Sequence, residues 1–216
     1  MKERPILFSA PMVRAILEGR KTQTRRVVKP QCHPFGDMLT ANEVALEFSS
    51  GTRSVRCPYG QPGDRLWVKE TYMPDPPRDR TWCSVAWEDD KRLDGIPERF
   101  QISKHVIFRA SWDGIELGGW KPSIHMPRWA SRITLEITGV RVERLNEISI
   151  LDSHAEGVGG TYGETGISLG FPGLNHEWDN KTAVEQYQWL WESINGPGSW
   201  DLNPWVWVVE FKGIKP

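Results

Sequence analysis

Apolar and polar positions follow two different periods along the chain, and the switches between them mark the elements. Pro5-Ile6-Leu7-Phe8 reads as a short strand. Ser9 then offers an N-cap, and Pro11 falls in a first turn where its missing N–H costs nothing. Met12, Val13, Ile16 and Leu17 share one face of the helix that follows, and Gly19 supplies a left-handed stop. Residues 22–28 are β-prone until Lys29-Pro30 ends them. Residues 31–60 hold no sustained period, with weak strands expected near 44–48 and 54–56. The turn Pro62-Gly63-Asp64 leads into a strand over 65–72, with Leu66, Val68 and Glu70 on one face and Trp67, Lys69 and Thr71 on the other.

Residues 74–122 mix Pro, Gly and charge with short strands at 82–87 and 105–110, which predicts an elaboration packed on a core. A long alternation from Ile133 to Leu145 reads as a strand bent at Gly139. A short helix over 148–156 is capped by Ser149 or Asp152. Residues 157–176 carry seven glycines and read as a loop, of which 157–173 has the character of a lid over a site. An amphipathic helix over 183–194 and a strand over 205–214 close the chain. Short strands with only three helices imply one α+β domain over 1–216, twisted and barrel-like, with insertions at about 31–60, 74–122 and 157–182.

Composition narrows the classes. No run of about 18 apolar residues is present, so no membrane span or membrane partner is expected. Three cysteines form no disulfide framework, which fits a reducing cytoplasm. A net charge of −1 supplies no global attraction for nucleic acid, so any such binding needs a local patch. Twelve tryptophans are mostly core material, with one to three available as stacking platforms.

The densest local patch is Gly19-Arg20-Lys21-Thr22-Gln23-Thr24-Arg25-Arg26. Cations beyond a helix end favour its dipole, so a solvated turn is one reading and the lip of an anion- or nucleotide-handling site is the other. With this stretch, Gly63-Asp64-Arg65-Leu66-Trp67-Val68, Thr134–Thr138 running on to His154-Ala155-Glu156-Gly157, and Trp205–Phe211, the chain resembles the ASCH domain family of the PUA-like superfamily. Its layout, including "INGPGSW" at 194–200, is similar to the longer phage- and prophage-type members. The resemblance implies a PUA-like β-barrel. One small bacterial branch hydrolyses the amide of N4-acetylcytidine, and its catalytic set falls on Lys21, Thr24 and, across a two-residue gap, Glu156.

Such chemistry would have Thr24 attack, Lys21 take its proton at a lowered pKa, and Glu156 protonate the leaving nitrogen. Residues three apart on a flat strand point to opposite faces, so this requires a turn over 19–21 or a bulge before Thr24. Arg20, Arg25 and Arg26 would depress Lys21 and meet an anionic substrate. Glu70 is a second candidate acid, or a strand-end partner for an arginine. Arg128-Trp129-Ala130-Ser131-Arg132 offers either base stacking with phosphate contacts or a core Trp beside a salt bridge. Asn203-Pro204 offers an amide for a cytosine edge, or simply a turn. Cys32-His33 with Cys57 lacks metal-ligand spacing, so neither metal nor cofactor is expected. The expected partner is a nucleoside or single-stranded RNA, with no obligate protein partner. The rival functions are a non-catalytic RNA-binding module and, third, a ribonuclease.

Overall fold

The computed structural model describes residues 1–33, 36–51, 55–75, 96, 98–114, 119–158 and 181–214. Nine strands and four α-helices occur among them: β1 (Glu3–Leu7), α1 (Ala10–Leu17), β2 (Gln23–Val27), β3 (Gln31–Cys32), β4 (Met38–Leu39), α2 (Ala41–Ser49), β5 (Arg65–Lys69), β6 (Tyr72–Pro74), β7 (Val106–Phe108), β8 (Thr134–Arg144), α3 (Ile150–Ala155), α4 (Ala183–Asn195) and β9 (Trp205–Ile214). The main sheet has five strands in the order β1-β5-β8-β9-β2. Only β1 and β5 run parallel; the other pairs are antiparallel. The class is α+β, and among the described residues the sheet is open, with β1 and β2 as its edges. Arg26 of β2 reaches towards β1, donating from Nη2 to the carbonyl of Leu7 at 2.7 Å.

β5 and β8 form on an apolar–polar alternation, whereas β9 is a continuous apolar run buried on both faces. Leu66 and Val68 of β5 and Leu135 and Ile137 of β8 are buried, as are Val206 to Val209 of β9; all three strands are paired on both edges. The bend expected at Gly139 is a register shift between Ile137 and Gly139, so Thr138 is the extra residue of a bulge. Gly139 suits the site because a Cβ there would lie 2.5 Å from a carboxylate oxygen of Glu210 on β9.

Five expectations need correction. Residues 55 and 56 belong to no strand, contrary to the weak strand expected near 54–56. Residues 41–49 are a helix, not a weak strand. Thr40 accepts from Glu43 N–H while the Glu43 carboxylate accepts from Thr40 N–H, a capping box that overrides the β-branched Val44. Residues 65–72 divide into two strands, because β5 ends at Lys69 and β6 pairs with β7 in a separate two-stranded sheet. Leu17 is 51 % exposed, and Ala15 takes the place expected for it in the core. Ser149, not Asp152, caps α3, accepting from Asp152 N–H. The segments 82–87 and 159–176 lie outside the described residues.

The elaboration after β5 has its own small core of Tyr72, Val106, Phe108, Met126 and Ala130. No helix among the described residues is long and apolar enough to cross a membrane. The cap assignment has a direct test: Thr40→Ala should cost about 1 kcal/mol by removing the α2 cap. Urea unfolding reads this as a lower midpoint at unchanged slope.

Candidate functional site

The site begins where α1 stops. Gly19 adopts φ +75°, and the N–H groups of Arg20 and Lys21 both donate to the Ala15 carbonyl at 2.9 and 3.0 Å. Lys21 therefore stands in a turn ahead of β2, which is the geometry its convergence with Thr24 requires. Thr22 N–H donates to the Ala155 carbonyl at 2.8 Å, tying this turn to the end of α3. Glu156, the C-cap of α3, thereby comes beside Lys21 across 135 residues of sequence.

Lys21 is 2 % exposed and Glu156 3 %. The ammonium Nζ donates to Glu156 Oε2 at 2.8 Å and to the Glu156 carbonyl at 2.8 Å. Arg25 donates from Nη1 to the other carboxylate oxygen, Oε1, at 3.1 Å. Arg25 also pairs with Glu143 of β8, and its Nη2 lies 3.5 Å from Asp152 of α3. Arg141 joins Glu143, Asp152 and Glu210 into the same network. Three cations thus meet four carboxylates in one network.

Strand register separates the two sides. Arg25 pairs with Val208, whereas Thr24 and Arg26 pair with Val209 and Trp207 and so share the opposite face. Lys21 turns towards that opposite face: its Nζ lies 5.6 Å from the Phe8 ring centroid, and the Arg26 guanidinium lies 5.5 Å from the same ring. Burial pulls the Lys21 pKa down from the ordinary lysine range. Glu156 opposes that shift, and Arg26 and Arg25 add to it.

A cavity of about 60 Å³ runs along the free edge of β2, lined by Thr24, Arg26, Glu156 and, from α4, Tyr187, Leu190 and Trp191. Among the described residues the Thr24 hydroxyl and the Tyr187 phenol make no hydrogen bond, and Arg26 Nε is buried without an acceptor. Burial pushes the Tyr187 phenol well above its ordinary range, with Glu156 adding to the shift, so it remains a donor at neutral pH. The volume suffices for a few waters and lies far below the roughly 300–1,000 Å³ of small-molecule sites. A nucleobase does not fit in a cavity of this size.

The remaining sequence candidates have other engagements. Arg20 donates to the Gly157 carbonyl at 3.0 Å and pairs with Glu18. Glu70, 1 % exposed, takes a two-pronged contact from Arg132 at 2.9 and 3.0 Å, and Arg132 lies over the Phe108 ring at 4.0 Å. Burial raises the Glu70 pKa despite that arginine. Arg128 pairs with Glu3 on the surface, and Trp129 packs against the small second core. Asn203, at φ +41°, accepts from Asn146 N–H at 2.9 Å and so holds a turn. Among the described residues, no hydrogen bond or ion pair joins Glu70, Arg128, Trp129, Arg132 or Asn203 to Lys21, Thr24 or Glu156. Cys32 is exposed and Cys57 buried, and no group of three His, Cys, Asp or Glu is placed to hold a metal among the described residues.

Sequence reasoning did not find Glu143, Asp152, Arg141 or Tyr187. Tyr187 was legible only as one more apolar position of an amphipathic helix. Asp152 entered only as a candidate helix cap, and Arg141 and Glu143 only as polar positions of the 133–145 alternation.

The chain matches no family model, no curated protein and no solved structure.

Two outcomes follow from the network. Glu156→Ala leaves Lys21 and Arg25 buried without their shared carboxylate and should destabilise by about 3–5 kcal/mol in urea unfolding. Asp152 supplies a pH signature. Partial burial pushes its carboxyl up, but hydrogen bonds from Ser149 and Gln23 and the charges of Arg25 and Arg141 outweigh this, taking it from 3.8 to about 2. A depressed folded pKa gives stability that is full above 3.8 and lost as pH falls towards about 2. The stability gap between the wild-type protein and Asp152→Asn should therefore close across that window in acid titrations followed by circular dichroism.

Proposed function

We propose that the chain is a PUA-like protein of ASCH type that hydrolyses an N4-acylated cytosine, free as a nucleoside or within single-stranded RNA. The observation that carries this reading is the set of unspent polar groups around the β2-edge cavity: the Thr24 hydroxyl, the Tyr187 phenol and Arg26 Nε. A buried lysine with a lowered pKa is tied to this cavity through Glu156, which lines it. Arg26 reaching across from β2 to β1 supports the barrel assignment, since it draws the two sheet edges together at one point.

In this reading neutral Lys21 takes the Thr24 proton as Oγ attacks the acyl carbon. Arg26 Nε and the Tyr187 phenol receive the oxyanion. The C–N4 bond then breaks, the proton held by Lys21 passes to N4, and water releases the carboxylic acid from Thr24. Glu156 has one oxygen on Lys21 and the other on Arg25, so its part is to steady the Lys21 charge rather than to donate a proton.

The second reading, a non-catalytic nucleic-acid-binding module, draws on the small cavity and on Lys21 donating twice to Glu156. Under it the charge cluster serves only the fold.

Incubation with N4-acetylcytidine discriminates the two. Turnover should release cytidine, rise with pH on the limb where Lys21 loses its proton, and fall at least about 100-fold in Thr24→Val. A folded wild-type protein that gives no cytidine, yet binds oligonucleotides in a salt-sensitive manner, supports the second reading.

A further inference from the structure

A second, much larger cavity lies at the other end of β1. Its volume is about 760 Å³, and Lys2, Arg4, Arg56 and Asp64 line it together with Phe48 and Val55. Arg4 and Phe8 are four positions apart along an extended segment, so this cavity sits on the order of 13 Å from the ring that Lys21 and Arg26 share. It is a separate space from the β2-edge cavity, and its size falls in the range of small-molecule sites.

Its polar side is arranged rather than incidental. Asp64, whose side chain is 8 % exposed, accepts from Lys2 N–H at 2.7 Å and from Arg4 Nη1 at 3.0 Å, so its carboxylate is committed and Arg4 is held in one orientation. Among the described residues, Arg4 Nε and Nη2 have no acceptor. Gly60 protects that placement. It adopts φ +128°, and a Cβ there would stand 2.9 Å from Arg4 Nη1. Lys2 and Arg56 have exposed side chains that form no ion pair among the described residues. Three cations against one carboxylate leave a local charge of about +2, the complement of a phosphomonoester at neutral pH, which carries about −1.5 to −2. Phe48 from α2, buried Val55 and Val140 of β8 add apolar surface to the lining.

We infer that this cavity binds a phosphomonoester with a flat apolar body, of the nucleoside monophosphate class, with the phosphate on Arg4, Arg56 and Lys2 and the base against Phe48 and Val55. The guanidinium of Arg4, steered by Asp64, offers two donors to two phosphate oxygens. The ligand is either a free nucleotide or the phosphorylated end of an oligonucleotide.

Isothermal titration of the full chain with cytidine monophosphate, cytidine, inorganic phosphate and the dinucleotide pCpC tests this. Cytidine monophosphate should bind at least tenfold more tightly than either cytidine or inorganic phosphate, and the binding should weaken as salt rises. Arg56→Gln, an exposed change that leaves the Arg4–Asp64 pair intact, should weaken it at least tenfold, and Arg4→Gln should do so as well. Thr24→Val should leave it unchanged, which separates this site from the β2 edge. Equal affinity for pCpC and the mononucleotide assigns the ligand to a nucleic-acid end, and a preference for the mononucleotide assigns it to a free metabolite; both uphold the inference. No binding, equal binding of cytidine and its monophosphate, or indifference to Arg56→Gln overturns it.

Discussion

The carboxylate of Glu156 is shared between Lys21 and Arg25, and the functional end of the fold is organised around that contact. Removing three ionised groups from water is costly, and the arrangement is tolerable only if each oxygen and each donor finds its partner. One carboxylate oxygen goes to each cation, and a second Lys21 hydrogen goes to the Glu156 carbonyl. Geometry this demanding fixes three segments at once: the turn after α1, the start of β2 and the end of α3. The Ala155 carbonyl, one residue before Glu156, accepts from Thr22, so backbone and side-chain contacts agree on the same alignment.

Electrostatic asymmetry across β2 follows from that alignment. Successive strand residues face opposite ways, so Arg25 enters the carboxylate-rich side while Thr24 and Arg26 look towards Phe8. Lys21 precedes the strand and is exempt from its alternation, which lets it touch Glu156 and still approach the Thr24 side. The result is a lysine whose charge is opposed by burial and by two arginines and favoured by one carboxylate. Such a balance is useful to a proton carrier. It is also fragile, since loss of the carboxylate alone leaves the cations uncompensated.

Much of the scaffold was legible because it depends on local rules. The alternation in β5 and β8, the Gly139 bulge and the Gly19 stop each follow from residue type and spacing. The helix α2 escaped because Val44 and Phe48 suggested strand, although Thr40 and Glu43 carried a capping-box signal three residues apart. At the site, Lys21, Thr24 and Glu156 came from resemblance to a family, and the fold does place Lys21 against Glu156. Glu143, Asp152 and Tyr187 carry no comparable local signal. They matter only because Arg25 and the cavity edge meet them across more than a hundred residues, and such long-range pairing leaves no trace in spacing. Asn203 and Arg132 illustrate the converse: polar residues with suggestive neighbours whose bonding is taken up by a turn and by Glu70.

The balance at Lys21 is directly observable by NMR titration of the protein with lysine side chains labelled at Cε. The Lys21 signal should titrate below the ordinary lysine range. It should move further down in Glu156→Gln, because the carboxylate that favours the ammonium is gone while burial and the two arginines remain. A Lys21 signal that titrates together with the exposed lysines, and is unmoved by Glu156→Gln, would contradict the buried, carboxylate-balanced ammonium at the centre of this account.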